Sequence, residues 1–317
     1  MSIQIAVDLG GTHLRAAAFR DYDKESIKHK KTTSRVEGET VFERILYLIK
    51  EVMPADEGVS GIGIAVPGPV DPLTGIVLDA PNIPEINGFP LAERLAEKLN
   101  TPVYVGNDAN LAALGEWRYG AGQGHNDLVY LTISTGVGGG VISGGRLFEG
   151  GAGLGAELGH VMVKADDEGP ACSCGIHGHL EAFSSGTGIA KYVEWRLTDP
   201  ETESSLRSSP TRTAVEIARA AHEKDPLALA AFNRAGRYLG IGVASFLHIF
   251  NPSILIFGGG VSQSGILLFD PMKRSLQEVV FSSAYMGQLS IVTAALGDDA
   301  GLLGALALVE KKEKEIT

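Results

Sequence analysis

The run Ile3-Gln4-Ile5-Ala6-Val7-Asp8 breaks at Leu9-Gly10-Gly11-Thr12 and resumes as Leu14-Arg15-Ala16-Ala17-Ala18-Phe19. Apolar and β-branched residues on both sides of a glycine pair predict two antiparallel strands joined by a tight turn. About 125 residues further on the design returns: Leu128-Val129-Tyr130-Leu131-Thr132-Ile133 leads into Ser134-Thr135-Gly136-Val137-Gly138-Gly139-Gly140 and continues as Val141-Ile142-Ser143. A duplication at nearly half the chain length predicts an α/β protein of two related lobes, each opening on a hairpin and continuing in βα units.

Between the hairpins, Phe42, Ile45, Leu46, Ile49 and Val52 recur at helical spacing, and Gly61 to Val66 reads as a buried strand. A short helix is expected around Leu91, Leu95 and Leu99, then a strand Val103-Tyr104-Val105 entering Gly106-Asn107-Asp108, then a helix from Ala109 to about Tyr119. The lobe boundary is placed there: 1–108 forms a smaller lobe, completed by a C-terminal helix at about 300–317, and 109–299 a larger one. Residues 189–235 contain no glycine and read as mainly helical. Pro226 to Phe250 reads as one long helix whose Gly236, Gly240 and Gly242 predict close helix packing. Ser253 to Phe257 is the last clear strand, and the charged tail beyond Glu310 is expected to fray.

The composition narrows the function classes. Of 317 residues, 44% are apolar and 21% charged, enough for a packed core. A net charge of −11 repels nucleic-acid backbones and anionic membranes, so the expected partners are small molecules. Cys172 and Cys174 are the only 2 cysteines. A disulfide across one intervening residue would be strained, so they read as reduced thiols or metal ligands in a cytoplasmic protein. The opening residues carry no basic leader, and no apolar run approaches a membrane span. Glycine is in excess, at 41 residues.

Three strand-then-glycine turns stand out, at Asp8 to Thr12, at Gly136 to Gly140 and at Gly258-Gly259-Gly260. Each reads either as a tight turn or as a nest whose backbone N–H groups cradle an anion. No P-loop and no protein-kinase catalytic loop occurs, so a nucleotide here would rely on Mg²⁺ and backbone dipoles, with Asp8 placed to orient the metal, its waters or the phosphates. Asn107-Asp108 reads as a helix N-cap or as a carboxylate presented at a strand end. His160, Cys172, Cys174 and His179 offer the four ligands of a closed zinc site, or two free thiols beside solvent-facing histidines. Glu157 and Glu181 flank them, as surface carboxylates or as acceptors for sugar hydroxyls.

Asp8-Leu9-Gly10-Gly11-Thr12, Gly106-Asn107-Asp108-Ala109-Asn110, Glu157-Leu158-Gly159-His160 and Cys172-x-Cys174-Gly175-x-x-Gly178-His179-x-Glu181, in this order, closely resemble the ROK family of bacterial sugar kinases and repressors, most of all its ATP-dependent glucokinase branch. The resemblance runs from residue 3 to about 308. It implies two actin-like (ribonuclease-H-like) lobes with ATP and sugar meeting in the cleft between them. It makes Asp108 the catalytic base, with Asn107, Asp108, Glu157, His160, Glu181 and Gly68 binding the hexose. MgATP would be held by Asp8, Gly10, Gly11 and Thr12, by Thr135, Gly136, Gly138 and Gly139, and by Gly258, Gly259 and Gly260. His160 would hold structural zinc through one ring nitrogen and a sugar hydroxyl through the other. The departure is His179, where the family usually has a third cysteine, with His177 as a competing ligand. A homodimer is expected. The alternatives are a kinase for fructose, mannose, allose or an N-acetylated hexosamine, polyphosphate as donor, a sugar-responsive regulator lacking its DNA-binding module, and a non-catalytic actin-like ATPase.

Overall fold

The computed structural model describes residues 2–34, 37–80, 83–165 and 169–316. Strands β1 (Ile3–Leu9) and β2 (His13–Arg20) form the first hairpin, with β3 (Ser26–Thr33), β4 (Val59–Val66) and β5 (Val103–Asn107) completing a sheet of order β3-β2-β1-β4-β5. β1 pairs antiparallel with β2 and parallel with β4, which pairs parallel with β5. Strand β3 escaped the sequence reading because Ser26-Ile27-Lys28-His29-Lys30-Lys31 lacks an apolar face. It is an edge strand, and its lysines discourage pairing with a further chain.

The second hairpin, β6 (Leu128–Ile133) and β7 (Val137–Ser143), belongs to a sheet with β8 (Arg146–Leu147), β9 (Ile254–Gly258) and β10 (Ser290–Thr293), in the order β10-β9-β6-β7-β8. Counted from its own hairpin, this is the strand order of the first sheet. The duplication seen in the sequence is therefore a duplication of topology.

Helix α1 (Val41–Val52) starts on a capping box, in which Glu43 N–H donates to Thr40 Oγ1 at 3.2 Å and Thr40 N–H to Glu43 Oε2 at 2.9 Å. Its Ile45 and Ile49 join Ile5, Val7, Ile62 and Ile64 of the sheet in one core, together with Leu91 and Leu95 of α2 (Leu91–Leu99). Each such side chain contributes about 1.5–3 kcal/mol relative to exposure.

Two compact units are present. One comprises the described residues of 1–126, 140–156 and 294–317, the other those of 127–139 and 157–293. The expected break after residue 108 falls at the start of α3 (Asp108–Tyr119), a helix that belongs to the first unit. The physical reason is a pair of glycines. A Cβ on Gly115 would come within 2.6 Å of the Ala300 carbonyl, and one on Gly304 would run into that of Leu111, so α3 and the last helix meet backbone to backbone.

In the second unit follow α4 (Leu180–Ser184), α5 (Gly186–Arg196), α6 (Ala214–His222), α7 (Pro226–Phe250) and α8 (Ile266–Val279). Asp225 caps α7, accepting from Ala228 N–H at 2.9 Å. The helical glycines do allow close packing: a Cβ on Gly236 or Gly240 would sit 2.5 Å from the Leu268 or Met272 carbonyl of α8. The C-terminal tail corrects the expectation of fraying, because α9 (Ala300–Ile316) continues past Glu310. Lys311 Nζ donates to Glu149 at 2.8 Å, and the Tyr22 hydroxyl donates to Glu313. Charge alone reads as a loose end, but these partners are remote in sequence.

Candidate functional site

In the first unit the hairpin register sets Asp8 opposite Arg15. Arg15 Nη2 donates to the Asp8 carboxylate and to the Asp298 carbonyl, while Nη1 reaches Asp299 at 3.2 Å. Burial pushes the Asp8 carboxyl above its ordinary range, and the Arg15 charge and hydrogen bond oppose this without cancelling it. A Cβ on Gly301 would lie 2.9 Å from Asp8 Oδ1, so the first turn of α9 closes against the carboxylate. The turn itself is held by Gly10 N–H to the His13 carbonyl at 2.8 Å, Ser34 Oγ to the Gly10 carbonyl at 2.6 Å and Ser34 N–H to the Thr12 carbonyl at 2.9 Å. Gly11 faces open space. A carboxylate beside a glycine turn with open space at Gly11 can hold a hydrated cation and a phosphate together. Arg15 was not singled out from sequence. The signal was available, because a tight antiparallel turn puts the residue seven places on across from Asp8.

Also in the first unit, Asn107 takes the N-cap role for α3, its Oδ1 accepting from Asn110 N–H at 3.0 Å. Its Nδ2 donates to the Gly68 carbonyl at 3.0 Å, which leaves one N–H and one lone pair for a ligand. Gly68 has φ +88°, and a Cβ there would strike the Asp79 carbonyl. Asp108 occupies the first helical position, where the helix dipole favours an anionic carboxylate, and its Oδ1 accepts from Ala109 N–H at 2.8 Å.

The second unit gathers the other chemistry-bearing residues. His160, Cys172, Cys174 and His179 place their ligand atoms within 4.8 Å of one another. The Nδ1 atoms of His160 and His179 are 3.3 Å apart, Cys172 Sγ is 3.6 Å from His160 Nδ1, and Cys174 Sγ is 3.3 Å from His179 Nδ1. Zinc bonds of about 2.0–2.1 Å to nitrogen and about 2.3 Å to sulfur at tetrahedral angles separate neighbouring donors by about 3.3–3.7 Å. The donor set suits that ion in number and type, and the separations of 3.3, 3.6 and 3.3 Å fall in that range. His179, not His177, belongs to the cluster; His177 Nδ1 donates instead to the Gly169 carbonyl at 2.7 Å. Burial and the neighbouring Glu181 push the Cys172 thiol up to about 11.

Glu181, in the first turn of α4, joins this cluster to the second glycine turn. Its Oε2 accepts from Val137 N–H at 3.0 Å, and its Oε1 from Ser173 Oγ at 2.5 Å and Cys172 Sγ at 3.2 Å. Burial alone would raise its pKa, but these hydrogen bonds outweigh it and hold the carboxylate below its ordinary range. Ser173 carried no sequence signal beyond its place between two cysteines. Glu157 is exposed.

The glycines of the three turns separate into two kinds. A Cβ on Gly136 would lie 2.5 Å from Glu181 Oε2, one on Gly139 2.6 Å from Leu158 Cδ1, and one on Gly258 against the Tyr130 hydroxyl. These glycines are required by protein neighbours. Gly259 has φ +83°, while Gly11 and Gly260 have nothing within 4 Å of a Cβ and are open to a ligand.

A duplicated hairpin fold with a carboxylate at one glycine turn and a four-ligand cluster wired to the other defines the class, and comparison with known proteins agrees. The ROK family model matches residues 4–312, and the chain belongs to the ROK family. It is 38% identical over 312 residues to a glucokinase of Thermotoga maritima, covering 97% of each chain. Among solved structures it resembles a ROK family glucokinase from Streptomyces griseus in complex with glucose and AMPPNP, with TM-score 0.80 and 34% identity over 98% of this chain and 100% of that one. It also resembles a ROK hexokinase from Thermus thermophilus, with TM-score 0.83 and 34% identity over 99% of each chain. The fold is the actin-like ATPase fold of these sugar kinases.

Proposed function

We propose that this chain transfers the γ-phosphoryl group of ATP to the 6-hydroxyl of glucose. The observation that carries the reading is the position of Glu181. One carboxylate accepts from the backbone of a glycine turn and from Ser173, the residue between the two cysteines of the four-ligand cluster. The turn and the cluster are thus built as one piece. Its family membership and its likeness to a glucokinase bound to glucose and AMPPNP support the same reading.

In this reading Asp108 is the base. It accepts a hydrogen bond from the 6-hydroxyl, aligns the oxygen with the γ-phosphorus and takes the proton late. An ordinary carboxylate suffices, since a loose phosphoryl-transfer transition state demands positioning and charge neutralisation more than basicity. Asp8 orients Mg²⁺, its waters or the phosphates, with Gly10, Gly11, Thr12, Thr135, Gly136, Gly138, Gly139 and Gly258 to Gly260 supplying backbone and hydroxyl contacts to the nucleotide. His160, Cys172, Cys174 and His179 hold structural zinc, which when bound fixes the His160 ring and draws the thiols into thiolates. With Nδ1 turned into the cluster, His160 carries its proton on Nε2 and donates it to a sugar hydroxyl. Glu157 and Glu181 accept from other hydroxyls, and Asn107 and Gly68 complete the sugar contacts.

Cysteines placed as ligands suit a reducing cytoplasm, and we assign the enzyme to cytoplasmic glucose metabolism as a homodimer, as its family resemblance implies. Among the described residues no helix is long and apolar enough to cross a membrane. The test is hexose phosphate formation over a hexose panel with ATP and with polyphosphate, with ADP release followed in the ATP arm. The reading expects ADP release only with a hexose, and hexose phosphate formed fastest with glucose and ATP. Release without any sugar would identify an ATPase, and sugar binding without release a regulator.

A further inference from the structure

Apart from every residue assigned above, the second unit carries a surface cavity of about 600 Å³ floored by Phe183 and walled by α5 and α7. Its central feature is Arg234, whose guanidinium carbon lies 4.5 Å from the ring centroid of Phe183, 4.7 Å from that of Tyr192 and 5.8 Å from that of Tyr238. Three ring faces attract the cation but offer no lone pair to its five N–H donors. Among the described residues no carboxylate or carbonyl accepts from it. Burial pulls its pKa down, as expected for a cation without a countercharge.

The other charged side chains around the cavity are Lys164 and Lys191, and no described lining residue is acidic. That is an unusual concentration in a chain with 38 acidic and 27 basic residues. A concave site holding an arginine whose donors are unmet, with Lys191 beside it, recognises an anion. Trp195, 66% exposed, borders the same cavity and presents a flat face to whatever carries the anion. The volume falls in the range of about 300–1,000 Å³ that accepts a small organic ligand.

We propose that this cavity binds an organic phosphate, a phosphomonoester on a sugar or nucleoside ring, with its phosphate on Arg234 and Lys191 and its ring against Trp195. The inference is independent of the phosphotransfer reading. Phe183 and Tyr238 pack in one cluster with Cys172, so an occupant rests against the back of the loop that carries the four-ligand cluster.

The chain has 2 tryptophans, so Trp117→Phe leaves Trp195 as the reporter. The full-length variant is titrated with glucose 6-phosphate, AMP and inorganic phosphate at saturating glucose, which occupies a sugar site if one exists. We expect a saturable fluorescence change with at least one ester, with inorganic phosphate at least about tenfold weaker. Arg234→Gln and the exposed Lys191→Gln should each weaken the ester at least about tenfold, and Lys191→Gln keeps the test valid if Arg234→Gln does not fold. The ester that binds identifies the carrier ring. No saturable change with either ester, a change undiminished in Lys191→Gln, or esters no tighter than inorganic phosphate would each overturn the proposal.

Discussion

The two glycine turns occupy equivalent places in two sheets of the same strand order, yet they are built for different tasks. At the first, a half-buried carboxylate is clamped by Arg15 and Gly11 is open. At the second, β6 is followed by Ser134-Thr135 with no carboxylate, and the glycine at 136 admits Glu181 while that at 139 admits Leu158. A duplicated turn has thus kept its backbone, while one copy serves charge and the other seats a carboxylate tied to the thiol cluster. Glycine at a strand end is therefore ambiguous by itself; what a Cβ would meet there decides its meaning.

If the first unit supplies the chemistry, Asp108→Asn should lower kcat by about 10²–10⁴-fold while the glucose KM stays within about threefold, read from steady-state kinetics. Near-normal turnover would remove Asp108 from its role and break the contrast. If the second unit holds its turn and Glu181 in place through the metal cluster, Cys172→Ala should abolish bound zinc in a metal analysis and cost about 10–100-fold in kcat/KM. Retained metal would transfer the ligand role elsewhere. The contrast between the turns is sharpened by one substitution in each. Gly136→Ala forces a methyl against Glu181 at a cost of about 1–3 kcal/mol and should raise the glucose KM along with the ATP KM, whereas Gly11→Ala meets no neighbour and should act on the ATP KM alone. An unchanged glucose KM in Gly136→Ala, or a raised one in Gly11→Ala, would show that the two turns do not divide the work.

The smallest expected effect lies away from both turns. Hydrogen bonds from Ala228 and Ser205 N–H and the Ser204 and Ser205 hydroxyls outweigh burial and hold the Asp225 carboxyl below its ordinary range. A lowered carboxyl pKa stabilises the fold above the unfolded value of about 3.9 and stops doing so as pH falls through the folded value. Asp225→Asn should then cost about 1 kcal/mol in denaturant unfolding at neutral pH, with the gap to wild type closing on acidification below about pH 4. A gap independent of pH would mean that the cap acts by shape and not by charge.

Apolar periodicity and paired glycines are local signals, so both hairpins, the main helices and the long α7 were legible along the chain. Asp8 beside its glycines and the His160, Cys172, Cys174 and His179 spacing marked candidates by residue type, whereas Asp108, Glu157 and Glu181 were singled out by the resemblance to the ROK family. Strand β3 was not, since an edge strand needs no apolar face, and the continuation of α9 was not, since Lys311 and Glu313 are fixed by Glu149 and Tyr22 from far along the chain. Tertiary structure alone decided that α3 belongs with the first unit, that Arg15 holds Asp8, that His179 and not His177 joins the cluster, and that Gly136 is a glycine for the sake of Glu181. Sequence by itself determined which groups this protein possesses and the period of the backbone that carries them; which groups touch depends on distances between segments up to nearly three hundred residues apart, and only the packed fold sets those.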